Sequence, residues 1–341
     1  MTLQNFDGKN DTITPEQVQY WDNKHLIHPW SEFSEDSFDM TQVSRADGIY
    51  LYDAHGNKLI DGPGGMWCVN IGYGRKEMAD AISQQIMNMT YSSPWFTTNE
   101  PAAMLAKVIT EKTPGDLNRV FFSNGGSDAV DTALRFVQYR NNVIGKPDKK
   151  KILCREKGYH GSSYLAATVS GTGREHDRRY MDTHQDLAIM LPNINPYIRP
   201  SGTSLEEWCN EKISEMEETI LSIGSDKIGC FIAEPILASG GVIVPPSGYH
   251  QRSLELCKKH DIVYISDETV TGFGRLGHWF ASKEVFGIQP DIITCAKGLT
   301  SGYLPMGAAI ISERLIDSIK NKDGSQPFTN GYTYSCHPVA A

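Results

Sequence analysis

Apolar positions along this chain follow two rhythms, and the rhythm changes with position. Between about 75 and 325, short apolar runs alternate with stretches of helical period. Met78, Ile82 and Ile86 recur four apart, as on one face of a helix. Met104, Leu105, Val108 and Ile109 do likewise after Pro101, a residue suited to a first helical turn. Ala129, Val130, Ala133, Leu134 and Val137 predict a third helix. The runs at 119–122, 151–154, 228–233, 262–266 and 291–295 are too short for helices and too uniformly apolar for half-exposed strands. They predict strands buried on both faces. Upstream, 48–53 and 58–61 flank AHGN at 54–57, which predicts a β-hairpin. Residues 1–45 read as a lead-in with Trp21, Trp30 and Phe33 as aromatic anchors. Strands separated by helices in this way predict an α/β fold with a mostly parallel central sheet and helices on both faces.

Composition narrows the functions available. The 341 residues are 40% hydrophobic and 21% charged, enough to bury a core. Lys+Arg 32 against Asp+Glu 41 leaves a net charge of −9, which disfavours nucleic acid as the partner. Lys149, Lys150 and Lys151 read as a solvated loop. No apolar run approaches the roughly 20 residues of a membrane span, and the first eleven residues lack the order of a secretory signal. Seven scattered cysteines without a C-x-x-C pair predict reduced thiols in a cytoplasmic protein. Without H-E-x-x-H or a cysteine pair, no metal site is expected.

The candidate chemistry lies where strands end. In an open parallel sheet, ligands bind beyond the carboxyl ends of the strands. The run at 119–122 leads into SNGGSD at 123–128 and then a helix. The runs at 228–233, 262–266 and 291–295 deliver Glu234, Asp267 and Lys297. The intervals of 33 and 30 residues each suit one crossover, so the three side chains can share an edge. The Gly125-Gly126-Ser127 turn reads either as a plain helix cap or as a phosphate seat. The helix dipole contributes only about 0.3–1 kcal/mol there, so direct N–H and hydroxyl bonds must hold a phosphate. The turn is neither a P-loop nor G-x-G-x-x-G after an N-terminal strand. Lys297, between Ala296 and Gly298, is a surface lysine or, if burial lowers its pKa, a nucleophile. A phosphate seat, a buried acid and a lysine on one edge are the parts that a pyridoxal phosphate site needs.

The runs DETVTGFGR at 267–275 and PDIITCAKGLTSGYLPMG at 290–307 resemble class III pyridoxal-phosphate aminotransferases. So do SNGGSDAVD at 123–131, GYHG at 158–161, Glu234-Pro235 and GYTYSCHP at 331–338. GGMWCVNIGYGR at 64–75 resembles the ω-amino-acid or amine:pyruvate branch. The resemblance implies fold type I and a homodimer sharing two active sites. Residues 1–74 would form an N-terminal segment whose hairpin contributes to the small domain and pocket. Residues 75–330 would form the large cofactor-binding domain, and 331–341 the start of a linker to a C-terminal small domain absent here, so that the second domain is incomplete. That missing domain supplies an arginine for the substrate carboxylate in the family.

By the same resemblance, Lys297 is the Schiff-base lysine and proton shuttle, and Asp267 the acid beneath the pyridine nitrogen. A charge pair about 4 Å apart is worth roughly 4 kcal/mol at an effective dielectric of 20, enough to keep the ring protonated. Tyr159 would stack on the ring with His160 beside it, Gly126 and Ser127 would seat the phosphate, and Glu234 would lie near the cofactor's hydroxyl. Thr333 would reach the partner subunit's phosphate. Trp67, Trp95 and Tyr159 would line the substrate pocket. Thr269 stands where valine is usual, Gly125 where many relatives have serine, and Val130 where asparagine is common. The implied activity is ping-pong transfer of an amino group from an ω-amino acid or primary amine to a keto acid, with pyruvate the expected acceptor. The alternatives are a same-fold aminomutase and a truncated, non-catalytic chain that holds the cofactor.

Overall fold

A computed structural model describes residues 13–33, 40–171, 180–320, 322 and 326–341. The chain forms two compact units. One comprises Met1–Gly64 with Ile71–Arg75, the other Gly65–Asn70 with Lys76–Ala341.

In the smaller unit a helix, Pro15–His25, starts at Thr14, whose hydroxyl accepts from Gln17 N while the Gln17 side chain accepts from Thr14 N. Strands β1 (Val43–Asp47), β2 (Tyr50–Asp53) and β3 (Lys58–Ile60) form an antiparallel sheet. The hairpin read from the sequence is β2–β3, closed by Asp53, whose carboxylate accepts from the N–H of His55 and Asn57. Sequence reading assigned no strand at β1, which straddles the end of the lead-in read over 1–45. Trp21, Trp30 and Phe33 are exposed rather than anchored in a core of this unit.

In the larger unit seven strands, among the described residues, make one sheet: β4 (Leu117–Ser123), β5 (Lys151–Arg155), β6 (Ala188–Leu191), β7 (Ile228–Ala233), β8 (Val263–Asp267), β9 (Ile292–Cys295) and β10 (Gly307–Ser312). Their order is β4-β10-β9-β8-β7-β5-β6. The pairs β5–β6, β5–β7, β7–β8 and β8–β9 are parallel, whereas β10 runs antiparallel to both β4 and β9.

Alternate side chains of each central strand enter different cores. Phe231 and Tyr264 pack with Ile213, Met216 and Ile220 of helix Leu205–Ile223 and with Leu254 and Cys257 of helix Tyr249–Lys259. Cys230, Ile232, Val263 and Ile265 pack on the other face with Val130, Leu134 and Val137 of helix Gly126–Val143. Two covered faces leave no position on β7 or β8 for a polar alternation, which is why these strands read as continuous apolar runs. A third core joins helix Glu100–Thr110 to β4, β9 and β10 through Ile109, Phe122, Ile293 and Ala308. Among the described residues no helix is long and apolar enough to cross a membrane.

Candidate active site

Adjacent parallel strands β7, β8 and β9 bring Glu234, Asp267 and Lys297 to one edge. Ala233 pairs with Ser266, and Asp267 pairs with Thr294. All three line a cavity of about 250 Å³ with Gly126, Ser127, Tyr159, His160 and Thr269. Met66, Gly161, Ser239, Val270 and Ala296 complete its wall.

Asp267 is buried and held by three donors. His160 Nδ1 lies 2.7 Å from Oδ2, while Thr294 Oγ1 at 3.0 Å and Thr269 N at 3.1 Å donate to Oδ1. Burial alone would raise its pKa, but the hydrogen bond and charge of His160 outweigh it and hold the carboxyl below its ordinary value. His160 answers in kind: burial disfavours its cation, yet Asp267 raises its pKa overall. The site thus contains a fixed anion backed by an imidazole.

Glu234 accepts from Tyr159 N at 2.8 Å and Ala238 N at 3.0 Å. Burial pushes it up to about 7. Lys297 is half-buried, and desolvation lowers its pKa although Asp267 and Glu234 pull the other way. The amine is therefore neutral in a larger share of molecules than a surface lysine would be. Its backbone is left-handed, with φ 45°. A non-glycine residue in that conformation is strained, and such strain gathers at functional sites.

The opposite end of the cavity is a helix start. Gly125 caps Gly126–Val143 without a side-chain hydrogen bond, leaving first-turn N–H groups available for an anion. Ser127 Oγ accepts from Ser162 N at 3.1 Å, tying the Tyr159–Ser162 stretch to this start. Gly161, with φ 130°, permits the approach, since a Cβ there would lie 2.3 Å from Ser127 Oγ.

Three residues named from the sequence lie outside the cavity lining. Trp67 is close by, with its ring centroid 5.6 Å from Lys297 Nζ, a cation–π distance. Trp95 is exposed and packs beside Gly331. Thr333 is exposed, and its carbonyl accepts from Tyr91 Oη at 2.9 Å. Sequence reading missed Met66 and Ser239 as lining residues. The first sits inside the 64–75 motif, and the second in a turn that only the β7 strand end brings near.

The sequence matches the family model described as aminotransferase class-III over residues 33–341. A putrescine–pyruvate aminotransferase of Pseudomonas aeruginosa is 36% identical over 337 residues, 97% of this chain and 73% of that one. A solved (S)-enantioselective ω-transaminase from Thermomicrobium roseum superposes with TM-score 0.91 at 34% identity, over 97% of this chain and 73% of that one. The ω-transaminase from Pseudomonas jessenii, solved in complex with PMP, matches with TM-score 0.90 at 32% identity, over 95% and 72%. The chain belongs to the class III aminotransferases. It is accordingly a pyridoxal-phosphate-dependent transaminase that moves an amino group from an amine to a keto acid.

The cavity fits that cofactor. Thr269 Oγ1 is buried without a protein partner, a polar atom awaiting one. At Gly126 a Cβ would come within 3.0 Å of Thr269 Cγ2 and 3.7 Å of Ala296, so glycine keeps open the space at the helix start. The polar inventory suits the group end to end: N–H donors for a phosphate, a buried carboxylate for a ring nitrogen, and an amine for an aldehyde.

Proposed function

We propose that this transaminase takes its amino group from an ω-amino acid or other primary amine and passes it to pyruvate. The 36% identity to a putrescine–pyruvate aminotransferase supports this branch. The observation that carries the residue roles is the gathering of Lys297, Asp267, Tyr159 and the Gly126–Ser127 helix start around one cavity. When bound, pyridoxal phosphate supplies an aldehyde that takes up an amine and a cationic ring that draws electrons from the neighbouring carbon.

The chain's residues do the rest. Asp267 holds the proton on the ring nitrogen, and His160 keeps Asp267 ionised and oriented. Gly126 and Ser127 would bind the phosphate, and Thr269 would add its unpartnered hydroxyl. Tyr159, its main chain fixed by Glu234, would cover the ring. Glu234, pushed up to about 7 by burial, would serve the cofactor's hydroxyl side. Lys297 Nζ, freed in part from its proton by burial, would anchor the cofactor and serve as the base for the substrate's proton. Trp67 and Trp95 belong to the amine pocket in this reading. The protein is a cytoplasmic homodimer in which Thr333 serves the partner's phosphate seat. Exposed Met87, Trp95, Phe96 and Met104 supply apolar surface for that interface.

Borohydride reduction of the loaded enzyme, followed by peptide mapping, should place the cofactor on Lys297. A panel of amines with pyruvate and with 2-oxoglutarate should show pyruvate-dependent, ping-pong turnover. Lys297→Ala is expected to lose at least about 10³-fold in kcat while still binding cofactor through its phosphate. Undiminished turnover by that variant would refute the assignment.

A further inference from the structure

Six residues, Gly65–Asn70, group with the larger unit although the chain on either side belongs to the smaller one. This segment carries Met66, which lines the cavity, and Trp67, whose ring lies 5.6 Å from Lys297 Nζ. Cys68 Sγ lies 3.2 Å from where a Cβ on Gly302 would stand, so the segment rests closely on the chain that follows Lys297.

What fixes its end is one amide. Asn70 Nδ2 donates to Phe273 O at 2.8 Å, and Asn70 Oδ1 accepts from Arg275 Nη2 at 2.6 Å. Only one orientation of the amide serves both partners, because a carbonyl only accepts and a guanidinium only donates. The same Nδ2 lies 2.5 Å from where a Cβ on Gly298 would be. Any other residue at position 298 would therefore displace the Asn70 side chain. Trp67, Phe273 and Lys297 all have left-handed backbones, at φ 56°, 54° and 45°. Such conformations persist only where the surroundings over-determine them, and Asn70 touches or neighbours each of the three stretches.

We propose that Asn70 is a positioning residue that clamps the Gly65–Asn70 segment between the Arg275 loop and the Lys297 turn, fixing Met66 and Trp67 as a rigid wall that discriminates bulky aromatic from short linear amines. The proposal rests on the reading of Lys297 as the lysine that handles the amine. Asn70→Ala removes both hydrogen bonds. Asn70→Asp keeps the volume and the Arg275 bond but sets an acceptor against the Phe273 carbonyl.

The clamp predicts that Asn70→Ala raises KM for an aromatic amine about tenfold, with kcat within about twofold and KM for a short linear amine little changed. Asn70→Asp should fall between it and the parent, and serves alone if the alanine variant does not fold. In the full chain without cofactor, acrylamide quenching of tryptophan fluorescence should rise in Asn70→Ala. It should not rise when Asn70→Ala is added to Trp67→Phe, which places the change at Trp67. Unaltered quenching together with an unaltered ratio of the two KM values would overturn the clamp. Absence of a borohydride-trapped adduct at Lys297 in the parent enzyme would instead overturn the site reading, so the two failures are distinguishable.

Discussion

Asp267 and His160 form a buried pair whose charge states hold each other in place, and its pH dependence follows from the direction of each shift. Asp267 sits below its ordinary 3.8 in the folded chain, so its contribution to stability is complete above that value and is lost as pH falls through the depressed one. His160 sits above its ordinary 6.5, so its contribution is complete below that value and fades as pH rises through the elevated one. Asp267→Asn removes the pair without changing its volume. The stability advantage of the parent over this variant should be greatest between 3.8 and 6.5 and shrink on both sides. Denaturant titrations of the cofactor-free protein from about pH 3 to about pH 9 measure it, and a difference flat across that range would remove the pair from the account. At this scale the gathering of Lys297, Asp267 and Glu234 at one cavity was legible in the sequence, because each follows an apolar run and strand ends are where side chains become available. It placed His160 only beside Tyr159. The partner of His160 lies 107 residues away, and no local pattern encodes such a contact.

Among the elements, the helix start at Gly126 shows how two glycines can do different work. Gly161 is required by geometry: at φ 130° an added Cβ meets Ser127 Oγ at 2.3 Å and Cα at 2.8 Å. Gly161→Ala should cost about 2–4 kcal/mol of stability through strain and overpacking, and should weaken cofactor binding by lifting Tyr159 off the helix start. Gly125, at φ −179°, is ordinary extended backbone with nothing within 4 Å of its Cβ position. Gly125→Ser should leave stability within about 0.5 kcal/mol or raise it slightly, since serine is a good N-cap. It should also tighten pyridoxal phosphate binding by adding a hydroxyl donor at the seat. Calorimetry and cofactor titration of both variants separate the roles, and equal effects at the two positions would contradict this account. The expected α/β architecture holds, with a parallel sheet through β5–β9, but two strands of that seven-stranded sheet escaped the sequence reading. In β6, AIML lacks the β-branched bias that marks a strand. β10 follows the turn-rich stretch after Lys297, and its antiparallel place between β4 and β9 depends on how the chain returns across the sheet, which local periodicity does not record. Gly307 makes that placement possible, since a Cβ there would lie 2.2 Å from Gly125 O.

At the scale of the whole molecule, the proposal that two chains share their sites has a consequence that neither chain shows alone. Lys297 lines its own chain's cavity, whereas Thr333 stands exposed outside that lining. If Thr333 completes the partner's phosphate seat, each site draws its lysine from one chain and its threonine from the other. Lys297→Ala and Thr333→Ala homodimers should then both be impaired, the first by loss of the amine and the second by weakened cofactor binding. In a mixed dimer the two lesions fall on the same site. The other site receives an intact lysine from the Thr333 variant and an intact threonine from the Lys297 variant. Mixing the two proteins under conditions that exchange subunits should therefore restore activity, to about a quarter of the parent when assortment is random and half the dimers are hybrid. Restoration should follow the time course of exchange and saturate cofactor binding at that one site. Sedimentation of the parent must show a dimer for the scheme to operate. Activity that stays at the sum of the two separate variants, in a mixture shown to have exchanged, would assign Thr333 to its own chain or to no site at all.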